Sequence, residues 1–303
     1  MVQQGDTAIV TGASQGIGKA TAIALAERGL ALLVVSRDPT RAAAAVEDIR
    51  QASGSADVES CLADLSSQVS VRALAVTLLE RLDTRGGRLA VLLHNAGVAS
   101  PERRTTADGL EYQLAVNHLA PFLLTQLLWE RLVADAPARV ICVSSRAHAR
   151  GRIDLDDLQG ERGYTGPRAY DQSKLANVLF TYELARRLAG TGVTANCLHP
   201  GVVPTTLNGF LGGGQPRSLV TRLKGALRRG LSRRPAGGGQ VSTPEEASRT
   251  AVHLATSSEV AEVTGIYFAD GRPGESSPES HDAGLAARLW EASERLTGGA
   301  ADR

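Results

Sequence analysis

Short apolar, β-branched runs alternate along this chain with longer stretches of helical periodicity. Thr7–Thr11, Ala31–Ser36, Asp57–Leu62, Leu89–His94, Arg139–Ser144, Val193–Leu198 and Gly265–Phe268 read as strands; Gly16–Arg28, Asp38–Ala52, Gln68–Leu82, Thr106–Ala134, Arg168–Ala189 and Pro244–Ser257 read as helices. Leu32–Val35 and Val91–Leu93 carry no polar alternation, which marks strands covered on both faces. Repeated strand–helix alternation therefore predicts an α/β, doubly wound fold: a central parallel sheet of about seven strands with helices on both faces.

Two segments break the rhythm. Residues 207–243 contain the Gly- and Arg-rich run Gly209–Gln240 and follow the sixth strand, where a loop at a strand's carboxyl end overlies the ligand crevice. The expectation is a substrate lid; a disordered excursion and a membrane-surface stripe near Leu219–Leu231 are the competing readings. Residues 273–303 are expected to form a helical extension, with Ser276–Ser280 a linker and Ala283–Leu296 a helix. One domain over 1–303 accommodates both. The 33 basic and 32 acidic side chains leave a net charge of +1, which would not gather nucleic acid. Cys61, Cys142 and Cys197 are far apart in apolar runs, so free thiols in a reducing cytoplasm are expected, with no metal site. The first strand begins at Thr7, leaving no room for a signal peptide, and no apolar run approaches the ~20 residues of a membrane span. A cytoplasmic location is expected.

Candidate chemistry starts at Thr11-Gly12-Ala13-Ser14-Gln15-Gly16-Ile17-Gly18, between the first strand and an alanine-rich helix. A pyrophosphate needs backbone N–H groups at a helix N-terminus with no side chains in the way, and Gly12, Gly16 and Gly18, with Ser14, Gln15 and Ile17 between them, suit that need. Loops also use glycine for φ > 0 without any ligand; the strand–turn–helix context favours dinucleotide binding in a Rossmann-type fold. The second strand ends in Ser36-Arg37-Asp38. A guanidinium here pairs with a 2′-phosphate, whereas a carboxylate accepts from a free 2′-hydroxyl. Arg37 directly follows the strand and Asp38-Pro39 is explained as a helix start, so NADP(H) is expected over NAD(H); Asp38 turned inward is the opposing reading. Asp64-Leu65 closes the third strand, where the carboxylate can meet an adenine amino group, cap the next helix, or do both. Asn95-Ala96-Gly97 after the fourth strand lets backbone approach a cofactor, or is an ordinary turn. Tyr170 and Lys174 are four apart on a helix and so share a face, with Ser145 in a Ser-Ser pair closing the fifth strand. An ammonium beside a phenol is expected to lower the phenol's pKa toward working pH.

These motifs, together with Val116-Asn117-His118-Leu119, Val143-Ser144-Ser145, Ser173-Lys174-Leu175-Ala176-Asn177-Val178-Leu179, and Gly192-Val193-Thr194 leading to His199-Pro200-Gly201, resemble the short-chain dehydrogenase/reductase family in its retinol-dehydrogenase-like branch. The resemblance covers roughly Thr7 to Thr206. It implies Tyr170 as general acid/base, Ser145 as its partner on the substrate oxygen, and Lys174 on the nicotinamide ribose, depressing the Tyr170 pKa. Asn117 would hold a water in a relay behind Lys174, and Pro200, Gly201, Val203 and Thr205 would position the nicotinamide carboxamide. His94 stands where the family's turn usually has Asn and is expected to be a satisfied structural group. The implied activity is alcohol/carbonyl interconversion on a small molecule, lipophilic or from secondary metabolism, by a homodimer or homotetramer built on the helices at Thr106–Ala134 and Arg168–Ala189. A redox-neutral epimerase or dehydratase and a non-catalytic NADP-binding sensor are the alternatives.

Overall fold

The computed structural model of the chain describes residues 2–201 and 242–298. Eight strands form one sheet in the order β3-β2-β1-β4-β5-β6-β7-β8. They are β1 (Thr7–Thr11), β2 (Ala31–Ser36), β3 (Val58–Leu62), β4 (Leu89–His94), β5 (Ala138–Val143), β6 (Val193–His199), β7 (Tyr267–Ala269) and β8 (Arg272–Pro273). The first seven run parallel, and β8 pairs antiparallel to β7. Alternation along the strands feeds two apolar layers. Ile9, Leu33, Leu92 and Val140 face α3 (Gln68–Arg85), α5 (Ala120–Leu127) and α7 (Gly166–Arg187). Ala8, Val10, Leu32, Val34, Leu93 and Ile141 face α1 (Gly16–Ala26), α2 (Pro39–Ser53) and α8 (Pro244–Thr256). Strand order reverses between β1 and β4, which opens a crevice beyond their carboxyl ends. Cys61, Cys142 and Cys197 are buried free thiols. No described helix is long and apolar enough to cross a membrane.

The expected helix Thr106–Ala134 is three helices. Residues 105–111 form a turn closed by a Thr105–Glu111 bridge, with Gly109 at φ +77°. The Glu111 carboxylate then caps α4 (Tyr112–Leu114), accepting from the Gln113 and Leu114 N–H groups. A π-helical turn follows at Ala115–Leu119, then α5 and α6 (Trp129–Ala134). Pro121 has no N–H, so the Asn117 carbonyl four residues back gains no α-helical partner, and the coil widens there. The seventh strand lies at Tyr267–Ala269, later than expected, and the antiparallel β8 raises the sheet from seven strands to eight. Ser276–Ser280 is no linker: Pro278–His281 is a 3-10 turn, and Ser277 and Ser280 are buried.

Helix α9 (Ala283–Leu296) lies where its amphipathic pattern suggests, capped by Asp282. Its Leu285, Ala286, Leu289 and Ala292 pack on Leu175, Ala176 and Leu179 of α7. Trp290 stacks against Phe180 at 5.9 Å and meets Phe122 edge-on at 4.9 Å. Helix α9 thus covers part of α7, which is buried almost throughout. The lid expected at 207–243, apart from Ser242 and Thr243, lies outside the described residues, as do Val203 and Thr205.

Candidate active site

The crevice is a cavity of about 570 Å³ reaching from the β2 end to Tyr170. Its floor is the glycine loop. Gly12 sits at φ +68° with Ala96 against it: a Cβ there would come 2.8 Å from the Ala96 Cα. A Cβ on Gly18 would overlap the Gly12 carbonyl oxygen and the Asn95 amide, whereas Gly16, at φ +57°, faces open space. Gln15 makes no side-chain cap for α1, while Asp38, Ser67, Thr165, Thr243 and Asp282 each cap one of the other long helices. The first N–H groups of α1, at Gly16, Ile17 and Gly18, therefore meet the crevice with no side chain closing them, and Ser14 and Gln15 flank them. This cradle fits a dinucleotide pyrophosphate.

Two braces hold the cradle. Thr11 Oγ1 accepts the backbone N–H groups of Asn95 (3.0 Å) and Ala96 (3.1 Å), and Asn95 Nδ2 donates to the Thr11 and Gly12 carbonyls at 2.9 and 3.1 Å. The Asn95 amide thus braces the loop, and Asn95, Ala96 and Gly97 all line the crevice. His94 is buried, its Nε2 lies 2.8 Å from Thr125 Oγ1, and burial lowers its pKa to about 3, as befits a neutral structural group.

At the crevice's outer end stand Ser36, Arg37 and Arg41. Asp38 lines the same end, and its Oδ1 accepts the Arg41 N–H at 2.8 Å and caps α2. Asp64 and Leu65 line the same end. Asp64 caps no helix: its Oδ1 accepts from the Ser66 N–H and hydroxyl, and Ser67 caps α3.

At the inner end, Ser145, Tyr170 and Lys174 converge, with Pro200 and Gly201 closing one side. Lys174 Nζ donates to the Val143 carbonyl at 3.1 Å and lies 5.6 Å from the Tyr170 ring centroid. Burial lowers the Lys174 pKa to about 8. The Tyr170 pKa is raised, not lowered: burial dominates, a hydrogen bond from Ser145 counters it, and the neighbouring Asp171 carboxylate adds to it. The expected depression by Lys174 is not among the causes of that shift in the cofactor-free site, where the ammonium is turned to the Val143 carbonyl. Asn117, fully buried, does not line the crevice. Its Oδ1 accepts the Val98 N–H at 2.7 Å, and Nδ2 donates to the Val98 carbonyl and to Ser173 Oγ, both at 2.9 Å. Its side chain is a tether that spends both Nδ2 hydrogens on Val98 and Ser173.

Sequence reasoning missed Thr11, Arg41, Val98, Tyr112 and Val116 around the crevice, and Gly151 behind it. Arg41 was open to inference as the residue one helical turn after Arg37. Gly151 lets the turn after Ser145 press on α7, where a Cβ would run into the Asp171 carbonyl; Arg150 clamps the same turn with two bonds to the Asp171 carboxylate at 2.9 and 3.0 Å.

A sheet with this switch point, this glycine cradle and this Ser–Tyr–Lys convergence defines a class. The family pattern described as short chain dehydrogenase matches residues 6–214, and the chain belongs to that family of NAD(P)(H)-binding oxidoreductases. Among its relatives, human retinol dehydrogenase 13 is 43% identical over 295 residues, covering 97% of this chain and 85% of that one. Human retinol dehydrogenase 12 is 40% identical, covering 97% and 87%. The chain is therefore a member of the retinol-dehydrogenase-like branch. Of solved structures, an uncharacterized protein from Mycobacterium paratuberculosis superposes with a TM-score of 0.74 at 32% identity, covering 98% of this chain and 94% of that one. The Pseudomonas aeruginosa RhlG/NADP complex superposes with 0.66 at 28% identity, covering 88% and 96%.

Proposed function

We propose that the chain is an NADP(H)-dependent oxidoreductase that interconverts an alcohol with its ketone or aldehyde, with Tyr170 as general acid/base. The observation that carries this reading is the convergence of Ser145, Tyr170 and Lys174 at the inner end of a crevice whose floor is a dinucleotide cradle. When bound, the reduced nicotinamide supplies a hydride to a carbonyl carbon. Tyr170 gives its phenolic proton to the carbonyl oxygen, and the Ser145 hydroxyl donates a hydrogen bond to the same oxygen as charge grows there. A phenol held above its ordinary pKa keeps its proton until that moment, which suits an acid in the reductive direction. Lys174 would hold the nicotinamide ribose hydroxyls. Because the Asn117 side chain is tied to Val98 and Ser173, any water relay to Lys174 falls to the Asn117 main-chain carbonyl, which Pro121 leaves without an i+4 donor.

Val98, Tyr112 and Val116 give the inner crevice an apolar flank, which supports a lipophilic substrate. The names of the relatives make retinaldehyde, the oxidised partner of retinol, the first probe of a panel that also holds straight-chain aldehydes and aromatic ketones. Preference for NADP(H) is supported by Arg37 and Arg41 at the outer end and by the engagement of Asp38 as a cap. Charge-assisted bonds to a 2′-phosphate contribute roughly 1.5–3 kcal/mol, on the order of ten- to a hundredfold in affinity. The test is kcat/KM with NADPH and NADH, in wild type and Arg37→Ala, across the panel. Wild type should favour NADPH and the variant should lose most of that preference through weaker NADPH use. A wild type that favours NADH ends the phosphate reading; tight NADPH retention without net oxidation on any carbonyl would point to redox-neutral chemistry.

A further inference from the structure

His148 lies behind the Ser145 turn and takes no part in the chemistry above. It belongs to the 3-10 turn Arg146–Arg150 and is 3% exposed. Its Nδ1 lies 2.7 Å from the Ser145 carbonyl oxygen, which also accepts the His148 backbone N–H at 3.1 Å. On the far side of the ring, the Ser277 backbone N–H donates to Nε2 at 3.1 Å. A backbone N–H can only donate, so Nε2 is the bare nitrogen and Nδ1 carries the proton. Ser277, in the segment between β8 and α9, thereby fixes the tautomer in which a protonated Nδ1 donates to the Ser145 carbonyl. The ring also packs on Tyr267, with centroids 4.7 Å apart.

We propose that His148 is a positioning residue for Ser145, and that Ser277 sets its tautomer for that task. The inference rests on the reading of Ser145 as the hydroxyl that bonds the substrate oxygen. With both lone pairs of its carbonyl taken by His148, the Ser145 backbone cannot rock, and its Cα–Cβ direction is fixed. The Ser145 Oγ accepts the Ala147 N–H at 3.2 Å, which leaves the hydroxyl proton to point toward Tyr170 and the crevice. Without the imidazole, one 3.1 Å backbone bond in a single 3-10 turn is left to hold that carbonyl. Misplacement of a reacting group by about 1 Å costs roughly a hundredfold in rate.

The test compares His148→Phe, His148→Asn and Ser145→Ala in the full chain, with NADPH and retinaldehyde or the best aldehyde of the panel. Phe keeps the ring against Tyr267 and loses both bonds; Asn keeps a donor near the Nδ1 position. Rates are counted per NADPH-binding site, so that misfolded protein does not enter. The expected result is a kcat lower by roughly ten- to a hundredfold in His148→Phe, with KM and NADPH affinity within about twofold of wild type, and recovery in His148→Asn to within about threefold. If His148→Phe keeps wild-type kcat while Ser145→Ala is inactive, the positioning role is wrong. Equal losses in Phe and Asn assign His148 to packing alone and overturn it too. Turnover retained in Ser145→Ala removes the reading of Ser145 itself, and this inference falls with it.

Discussion

Lys174 brings a charge into a place that disfavours it, and the cost is measurable in the cofactor-free protein. Its pKa falls from the ordinary 10.5 to about 8 because it is buried. For a base whose folded pKa lies below its unfolded one, the unfolded chain binds the proton more tightly. The penalty on folding is then fully present below pH 8 and fades as pH rises toward 10.5. With about 1.4 kcal/mol for each tenfold in the proton equilibrium, the penalty is about 3 kcal/mol at about pH 7 and about 1 kcal/mol at about pH 9.5. Wild type should therefore gain about 2 kcal/mol from this one residue across that interval. Cys142, the nearest other titratable group acting on it, has its thiol pushed up to about 12 and stays neutral throughout. Lys174→Met keeps the stem and removes the charge, at the loss of the 3.1 Å bond to the Val143 carbonyl, worth about 1 kcal/mol. The variant should be the more stable protein by about 2 kcal/mol at about pH 7, and that advantage should vanish by about pH 9.5. Urea unfolding of both proteins without cofactor, at the two pH values, checks it. A difference between them that stays constant with pH would show that the Lys174 ammonium is not desolvated in the way its burial requires.

Tyr170→Phe should lose roughly 10²–10⁴-fold in kcat with NADPH affinity unchanged; retention of more than about a tenth of the rate in a steady-state assay would rule out Tyr170 as the acid. Gly18→Ala should weaken NADPH binding more than tenfold in a fluorescence titration, since its Cβ would collide with the Gly12 carbonyl and the Asn95 brace; binding within about threefold of wild type would mean the cradle is not where the pyrophosphate sits. Trp290→Ala removes a ring buried among Phe122, Phe180 and the Arg187 guanidinium, and should cost about 3–5 kcal/mol in chemical unfolding; a loss under about 1 kcal/mol would show α9 to be a dispensable cover.

The parts of the fold that sequence pattern reveals are those where one local rule decides. Six of the seven expected strands lie within a residue or so of their place, most plainly where uninterrupted apolar runs such as Leu32–Val35 and Val91–Leu93 have no other use in a parallel sheet. The expected helix Thr106–Ala134 fails because three non-local or special contacts override its periodicity: the Thr105–Glu111 bridge, the Glu111 cap and the Pro121 gap. Ser276–Ser280 has the composition of a linker, yet Ser277 donates its N–H to His148 across 129 positions of sequence. No window of neighbouring residues carries that information.

The site divides in the same way. Glycine spacing, Arg37 and the Tyr170–Lys174 interval are legible because each residue reaches the crevice from one element, so chemistry and spacing together suffice to place it there. What the letters conceal is how many of them hold one another. Asn95 lines the crevice yet also spends its amide on Thr11 and Gly12, and the Asn117 side chain bonds Val98 and Ser173. Thr11, which carries no reactive chemistry, accepts two backbone N–H groups that would otherwise be orphans beside the crevice. A motif can therefore persist because its residues fix backbone at a strand end, with the reacting groups numbering only a few. Substitutions at the braces should then lower cofactor affinity and stability together, whereas substitutions at Tyr170 should lower turnover alone, and measuring both quantities on Thr11→Val and Tyr170→Phe separates the two kinds of position.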